Sequence, residues 1–189
     1  MSDSIAAKKR LSTVELVYIA VCAALMAVCS WISVPSIPPL PPFTLQTFAV
    51  FLAVLLLGGQ RGFYAVLTYL LLGAAGLPVF SQFTGGVGIL LGTTGGYIIG
   101  FLFIALLYWA LEGLIAGRGI RKIAVLVLGL IVCYAFGTAW FVLVYTRQSA
   151  AIGLGTALGW CVLPFILPDL VKLALAWGLS ATLKRHVRL

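Results

Sequence analysis

Long apolar runs, broken only by short turns and small clusters of basic residues, leave this chain one solvent in which it can fold. Of its 189 residues, 63% are hydrophobic and 8% charged, and the mean hydropathy is +1.19. A soluble domain has too little polar surface to cover that much apolar side chain, so the bilayer stands in for water around the fold. The net charge of +8 is arranged rather than spread. Its basic residues fall into four groups: Lys8, Lys9 and Arg10; Arg61; Arg118, Arg121 and Lys122; and Lys184, Arg185 and Arg188. The number of apolar stretches between the groups lets all four share one side of a membrane, with only Arg147 opposite and only Lys172 at membrane depth. That is the positive-inside pattern. The basicity therefore sets topology; it excludes nucleic acid as a partner and leaves contact with anionic membrane lipid as a secondary effect.

The expected fold is an all-α integral membrane protein, a bundle of six transmembrane helices with both termini cytoplasmic. The predicted spans are Val14–Val34, Leu45–Leu57, Phe63–Leu77, Ile89–Leu111, Ile123–Tyr145 and Pro164–Leu183. Residues 1–12 form a polar cytoplasmic N-terminus, 13–186 the membrane domain with an external ligand pocket, and 187–189 a cytoplasmic tail. A basic flank followed by an apolar run longer than a signal-peptide core reads as a retained first span. Five prolines within residues 35–44 preclude a helix and predict a stiff external connection. The second and third spans are short and joined by the cytoplasmic turn Gly58–Gly62. Gly88, Gly92, Gly96 and Gly100 recur every four residues and predict one smooth ridge along the fourth span. Residues 146–163 are expected outside, with a Gly-rich apolar piece at the interface or re-entering. In the first span, Ala20, Ala23, Ala24 and Ala27 make two overlapping Ala-x-x-x-Ala pairs, a pattern that serves packing within the bundle or docking of a partner helix.

Little in the sequence supports catalysis or metal binding. The cysteines (Cys22, Cys29, Cys133, Cys161) form no Cys-x-x-Cys, and the sole histidine, His186, lies in the basic tail. There is no Gly-x-x-x-x-Gly-Lys-[Ser/Thr] phosphate loop, so this chain does not carry a P-loop ATPase. Of the few acidic residues, Asp3 and Glu15 lie near the N-terminus, and Glu112 is expected solvated beside Arg118. Asp169 and Lys172 are different. An ionised side chain at membrane depth costs about 2.5–3.5 kcal/mol on insertion scales, so such groups pair, face a cavity or serve a pathway. At i and i+3 of the last span they share a face. Other polar and aromatic residues collect near the same external end: Phe43, Thr44 and Gln46; Phe80, Gln82 and Phe83; Thr94 and Tyr97. Together they suit a small organic guest held by aromatic walls and a few orienting groups. Asp169 and Lys172 merely neutralising each other, a membrane-embedded enzyme using Asp169, and an assembly subunit without ligand are the competing readings.

Four stretches carry a family resemblance: Pro42-Phe-Thr-Leu-Gln-Thr-Phe-Ala-Val-Phe-Leu-Ala53, Gly76-Leu-Pro-Val-Phe80, Gly92-Thr-Thr-Gly-Gly-Tyr-Ile-Ile-Gly-Phe101 and Leu163-Pro-Phe-Ile-Leu-Pro-Asp-Leu-Val-Lys172. In these the chain resembles the BioY family, the biotin-binding S components of energy-coupling-factor (ECF) vitamin transporters. One departure is Thr93, where the family commonly has proline. The resemblance implies a multi-pass protein of the bacterial cytoplasmic membrane that captures biotin from outside. A transmembrane coupling subunit with two ATPases would drive release inward, and some members of the family are thought to work without that module. It further implies that Ala20, Ala24 and their neighbours dock the coupling subunit and that this chain binds no cofactor of its own. In the implied pose, Asp169 accepts from the ureido N–H groups and Lys172 donates to the ureido carbonyl. The alternative pose puts the biotin carboxylate on Lys172.

Overall fold

The computed structural model describes residues 11–36, 40–115, 117, 119–149 and 151–185. The N-terminus up to residue 10, Arg118, His186 and the 187–189 tail lie outside the described residues. Eight α-helices and one two-stranded hairpin are described: α1 (Thr13–Trp31), β1 (Ser33–Val34), β2 (Phe43–Thr44), α2 (Gln46–Leu57), α3 (Gly59–Ala74), α4 (Val87–Leu91), α5 (Gly95–Ile115), α6 (Gly119–Gln148), α7 (Leu154–Cys161) and α8 (Leu163–Leu183). Among the described residues, four segments are long and apolar enough to cross a bilayer: Thr13–Trp31, Gly95–Ile115, Gly119–Gln148 and the α7–α8 run Leu154–Leu183. The protein is a multi-pass membrane protein. Helices α2 and α3, with 12 and 16 residues, rise about 18 and 24 Å, short of the ~30 Å hydrocarbon core.

Helix α1 starts at a capping box: the Ser12 hydroxyl accepts from the Glu15 N–H, and the Glu15 carboxylate accepts from the Ser12 N–H at 2.7 Å. Glu15 also pairs with Arg61, tying the start of α1 to α3. The proline-rich connection is extended where described. Ser33 pairs with Thr44 and Val34 with Phe43, and the Leu45 N–H returns to the carbonyls of Cys29 and Ile32 at the end of α1. Helix α2 follows and is apolar on every side, which suits a helix surrounded by others. Ala49, Val50, Phe51, Ala53 and Val54 are fully buried, with α1, α3, α5 and α8 packed around them.

Four expectations need correction. The turn Gly58–Gly62 shrinks to Gly58 itself, whose φ of 82° is open to glycine; α3 begins at the next residue. Glu112 makes that possible. Instead of standing in solvent, its two carboxylate oxygens each accept from the Gly59 N–H at 3.1 Å, placing negative charge at the N-terminus of α3. The fourth span is two helices rather than one, because Gly92 is extended (φ −75°, ψ −179°) between α4 and α5. Its carbonyl accepts from the Trp140 indole at 3.0 Å and from the Gly95 N–H at 3.1 Å, which fixes the break. The glycine ridge is therefore halved. Gly96 and Gly100 face α6, where a Cβ would meet Trp140 at 2.3 Å and the Cys133 sulfur at 2.6 Å, whereas nothing lies within 4 Å of a Cβ on Gly88. Finally, α6 runs 30 residues and carries Arg147 in its last turn, and the apolar piece after it is helical as α7.

Candidate functional site

Asp169 and Lys172 lie in the first half of α8, just after Pro168. Asp169 is 3% exposed and Lys172 8%, and the Lys172 ammonium donates to Asp169 Oδ1 at 2.7 Å. The pair does not stand alone. Thr47 on α2 donates to the same oxygen at 2.9 Å, and Tyr134 on α6 donates its hydroxyl to Oδ2 at 2.5 Å. Lys172 also reaches the Thr47 hydroxyl at 3.4 Å. Three helices thus converge on one carboxylate. An ionised carboxylate offers about four lone-pair positions and an ammonium three donors, so Asp169 retains one acceptor position and Lys172 one donor.

These groups line a cavity of about 80 Å³ whose wall includes Thr44, Gln46, Thr94, Tyr97, Phe165 and Cys133. Pro41, Pro42 and Ser81 belong to the same lining, which brings the proline-rich connection and the loop after α3 to the cavity. Gln46 is held at both ends of its amide. Thr44 donates to its carbonyl oxygen at 3.0 Å, and its nitrogen donates to the Tyr69 hydroxyl at 2.5 Å. Tyr97 is seated by a close approach: a Cβ on Gly137 would sit 2.2 Å from the Tyr97 ring, and its hydroxyl shares a 3.0 Å hydrogen bond with Thr138.

The structure thus brings six of the residues singled out from sequence (Thr44, Gln46, Thr94, Tyr97, Asp169 and Lys172) to one cavity. The other four are placed elsewhere. Phe43 stands behind the wall, stacked on Phe165 with ring centroids 4.3 Å apart. Phe80 is wholly buried, edge-on to Tyr69 and filling the space over Gly73, where a Cβ would meet its ring at 2.1 Å. Gln82 and Phe83 both adopt φ of 57°; Gln82 is exposed, and Phe83 turns away to stack on Trp31 at 4.9 Å. That left-handed pair redirects the loop so that Ser81, not Phe83, reaches the cavity.

Sequence reasoning missed Thr47, Tyr134, Ser81, Phe165, Cys133 and Cys161. For Tyr134 a signal existed: a phenol in the middle of an apolar span needs a partner for its hydroxyl, and Asp169 supplies one. Removing that donor (Tyr134→Phe) is expected to cost about 1.5–3 kcal/mol, the range for a hydrogen bond to a charged group. Reversible unfolding in mixed micelles reads it, and a loss below about 0.5 kcal/mol would count against the bond.

The chain is similar in sequence and fold to known proteins. A family model described as "BioY family" matches residues 5–189. The Biotin transporter BioY of Thermotoga maritima is 39% identical over 178 residues, spanning 90% of this chain and 96% of that protein. The Probable biotin transporter BioY of Pyrococcus horikoshii is 43% identical over 135 residues, 70% of this chain and 74% of its own length. A crystal structure of the S-component for biotin from an ECF-type ABC transporter superposes with a TM-score of 0.80 at 28% identity, covering 93% of this chain and 95% of that one.

Proposed function

The chain belongs to the BioY family, and from that membership we propose that it captures biotin as the substrate-binding membrane subunit of an ECF-type transporter in a bacterial cytoplasmic membrane. One observation carries the site assignment: a buried, oppositely charged pair faces a cavity with one donor and one acceptor position to spare. Its net charge is zero. A neutral ureido group, with N–H donors and a carbonyl acceptor, satisfies both remaining positions without adding charge. A carboxylate at the same depth would leave one uncompensated negative charge beside Asp169, at a cost of several kcal/mol.

The ureido ring is therefore set at Asp169 and Lys172, with Tyr134 and Thr47 holding the carboxylate in place. The rings and chain pack against Tyr97 and Phe165, and the valerate carboxylate lies toward Pro41, Pro42 and Ser81. Gln46 and Thr94 supply further polar contacts. The proline-rich connection and the loop after α3 cover the guest once it is seated, and slowing its escape raises affinity mainly through the off-rate. In the membrane, α2 and α3 count as the second and third of six crossings, and both termini are cytoplasmic. Exposed Ala20 and Ala24 on α1, flanked by Val17, Val21 and Val28, form the surface for a coupling subunit whose associated ATPases use ATP. Ala23 and Ala27, 2% and 6% exposed, serve packing instead.

Isothermal titration of the purified chain with biotin, biotinamide and a panel of other vitamins tests this reading. Biotin is expected to bind tightest, and biotinamide within about tenfold of it, a difference of about 1.4 kcal/mol. A loss far beyond that for the amide reverses the pose, while tighter binding of another vitamin overturns the substrate.

A further inference from the structure

A second concavity lies away from the ligand cavity, between α6 and α8. It measures about 250 Å³ and is lined by Ile123, Val127, Leu170, Leu173, Ala174 and Trp177. Its origin is the way the helices choose neighbours: α6 packs chiefly along α5 and α8 chiefly along α2, so the two diverge. Leu173 forms its floor at 3% exposure, while Leu170 at 41% stands at its edge. From Leu170 to Trp177 the groove follows seven residues of helix, about 10 Å. Among the described residues, no polar side chain lines it. At one end, the Trp177 ring closes on Gly119, where a Cβ would sit 3.1 Å away.

Cations gather beyond that end. Lys122 immediately precedes Ile123, and Lys184 follows Trp177 by two turns on the same face of α8. They are near enough to interact. Burial, and then the charge of Lys122, lowers the pKa of the Lys184 ammonium, against a smaller raising effect from Glu112. Among the described residues neither lysine is in an ion pair. Glu112, whose charge acts on Lys184, already accepts from the Gly59 N–H.

An apolar slot about 10 Å long, capped by two ammonium groups that are in no ion pair among the described residues, has the polarity profile of one molecule class. We propose that this groove is a specific site for an anionic glycerophospholipid, its phosphate between Lys122 and Lys184 and one acyl chain along Leu173 and Trp177. Basic pockets between transmembrane helices recognise anionic headgroups by this arrangement. The bound lipid fills the gap between α6 and α8, the helices that carry Tyr134 and Asp169, so it bears on the geometry of the ligand cavity without touching it.

Native mass spectrometry of the full chain, purified in mild detergent and offered phosphatidylglycerol or phosphatidylcholine with identical acyl chains, tests the site. Phosphatidylglycerol is expected to be retained about thirtyfold better, from two basic residues beside an anionic lipid. Lys122→Gln with Lys184→Gln is expected to erase that preference, and Ala174→Trp, which fills the slot, to weaken retention of both lipids. An unchanged helical circular dichroism spectrum and a single monodisperse elution peak show that each variant is folded. Equal retention of the two lipids by the unaltered chain overturns the proposal, independently of any variant. So does a preference that survives loss of both lysines or an Ala174→Trp chain that holds lipid as before.

Discussion

Asp169→Asn is expected to lower biotin affinity by about thirtyfold to several thousandfold, the consequence of truncating one partner of a buried, hydrogen-bonded charge pair. The substitution keeps the shape but removes the charge that Lys172 answers at 2.7 Å. It also turns one oxygen into a donor, which clashes with at least one of the donors from Thr47, Tyr134 and Lys172. An uncompensated ammonium is then left at 8% exposure, and breaking a buried pair in this way costs about 3–5 kcal/mol of stability. Loss of binding and loss of fold must therefore be separated. Asp169→Asn with Lys172→Met does so: removing the stranded charge returns much of the stability but restores neither the acceptor nor the donor for the ureido group. The double variant is expected to be folded and unable to bind. If it binds biotin as the unaltered chain does, the pair is only structural and the guest is recognised elsewhere.

The pair was legible in the sequence because charge at membrane depth is costly enough to demand a reason. Thr44, Gln46, Thr94 and Tyr97 could be grouped with it because each sits at the end of an apolar run on one side of the expected membrane. What could not be read depends on direction within loops and on main-chain partners. Phe80 and Phe83 are three residues apart in a polar, aromatic loop, and nothing in their spacing says that one fills the space over Gly73 while the other stacks on Trp31. The left-handed turn at Gln82 and Phe83 decides it, and neither residue type advertises that conformation. Glu112 was misplaced for a related reason: its partner is the N–H of Gly59, a group that every residue but proline carries. The four-residue glycine spacing survived in the sequence while the helix did not, since a single extended residue at Gly92 resets the helical phase. Periodicity reports which residues would share a face if the helix continued. Whether it continues is settled here by Trp140, which donates to the Gly92 carbonyl from the neighbouring helix.

Uptake and binding should part company at α1. Ala24 is exposed and Ala23, beside it, is 2% exposed against the bundle. Ala24→Trp places a large, mostly apolar ring on an exposed face of α1 that meets lipid in the isolated chain, where it displaces no packed side chain and costs little. Ala24 is exposed and lines no part of the cavity, so titration of the purified variant is expected to give an unchanged biotin affinity. A partner helix that approaches through Ala20 and Ala24 depends on their small size and is held off by the ring. In cells that supply the coupling subunit and its ATPases, biotin uptake by Ala24→Trp is expected to fall to background. Ala23→Trp marks the contrast. It forces a ring into packed space, where even extra methylenes cost about 1–3 kcal/mol, and so it is expected to lose binding and uptake together. Full ATPase-dependent uptake by Ala24→Trp would mean that this face of α1 meets only lipid, and that the coupling subunit grips the chain elsewhere.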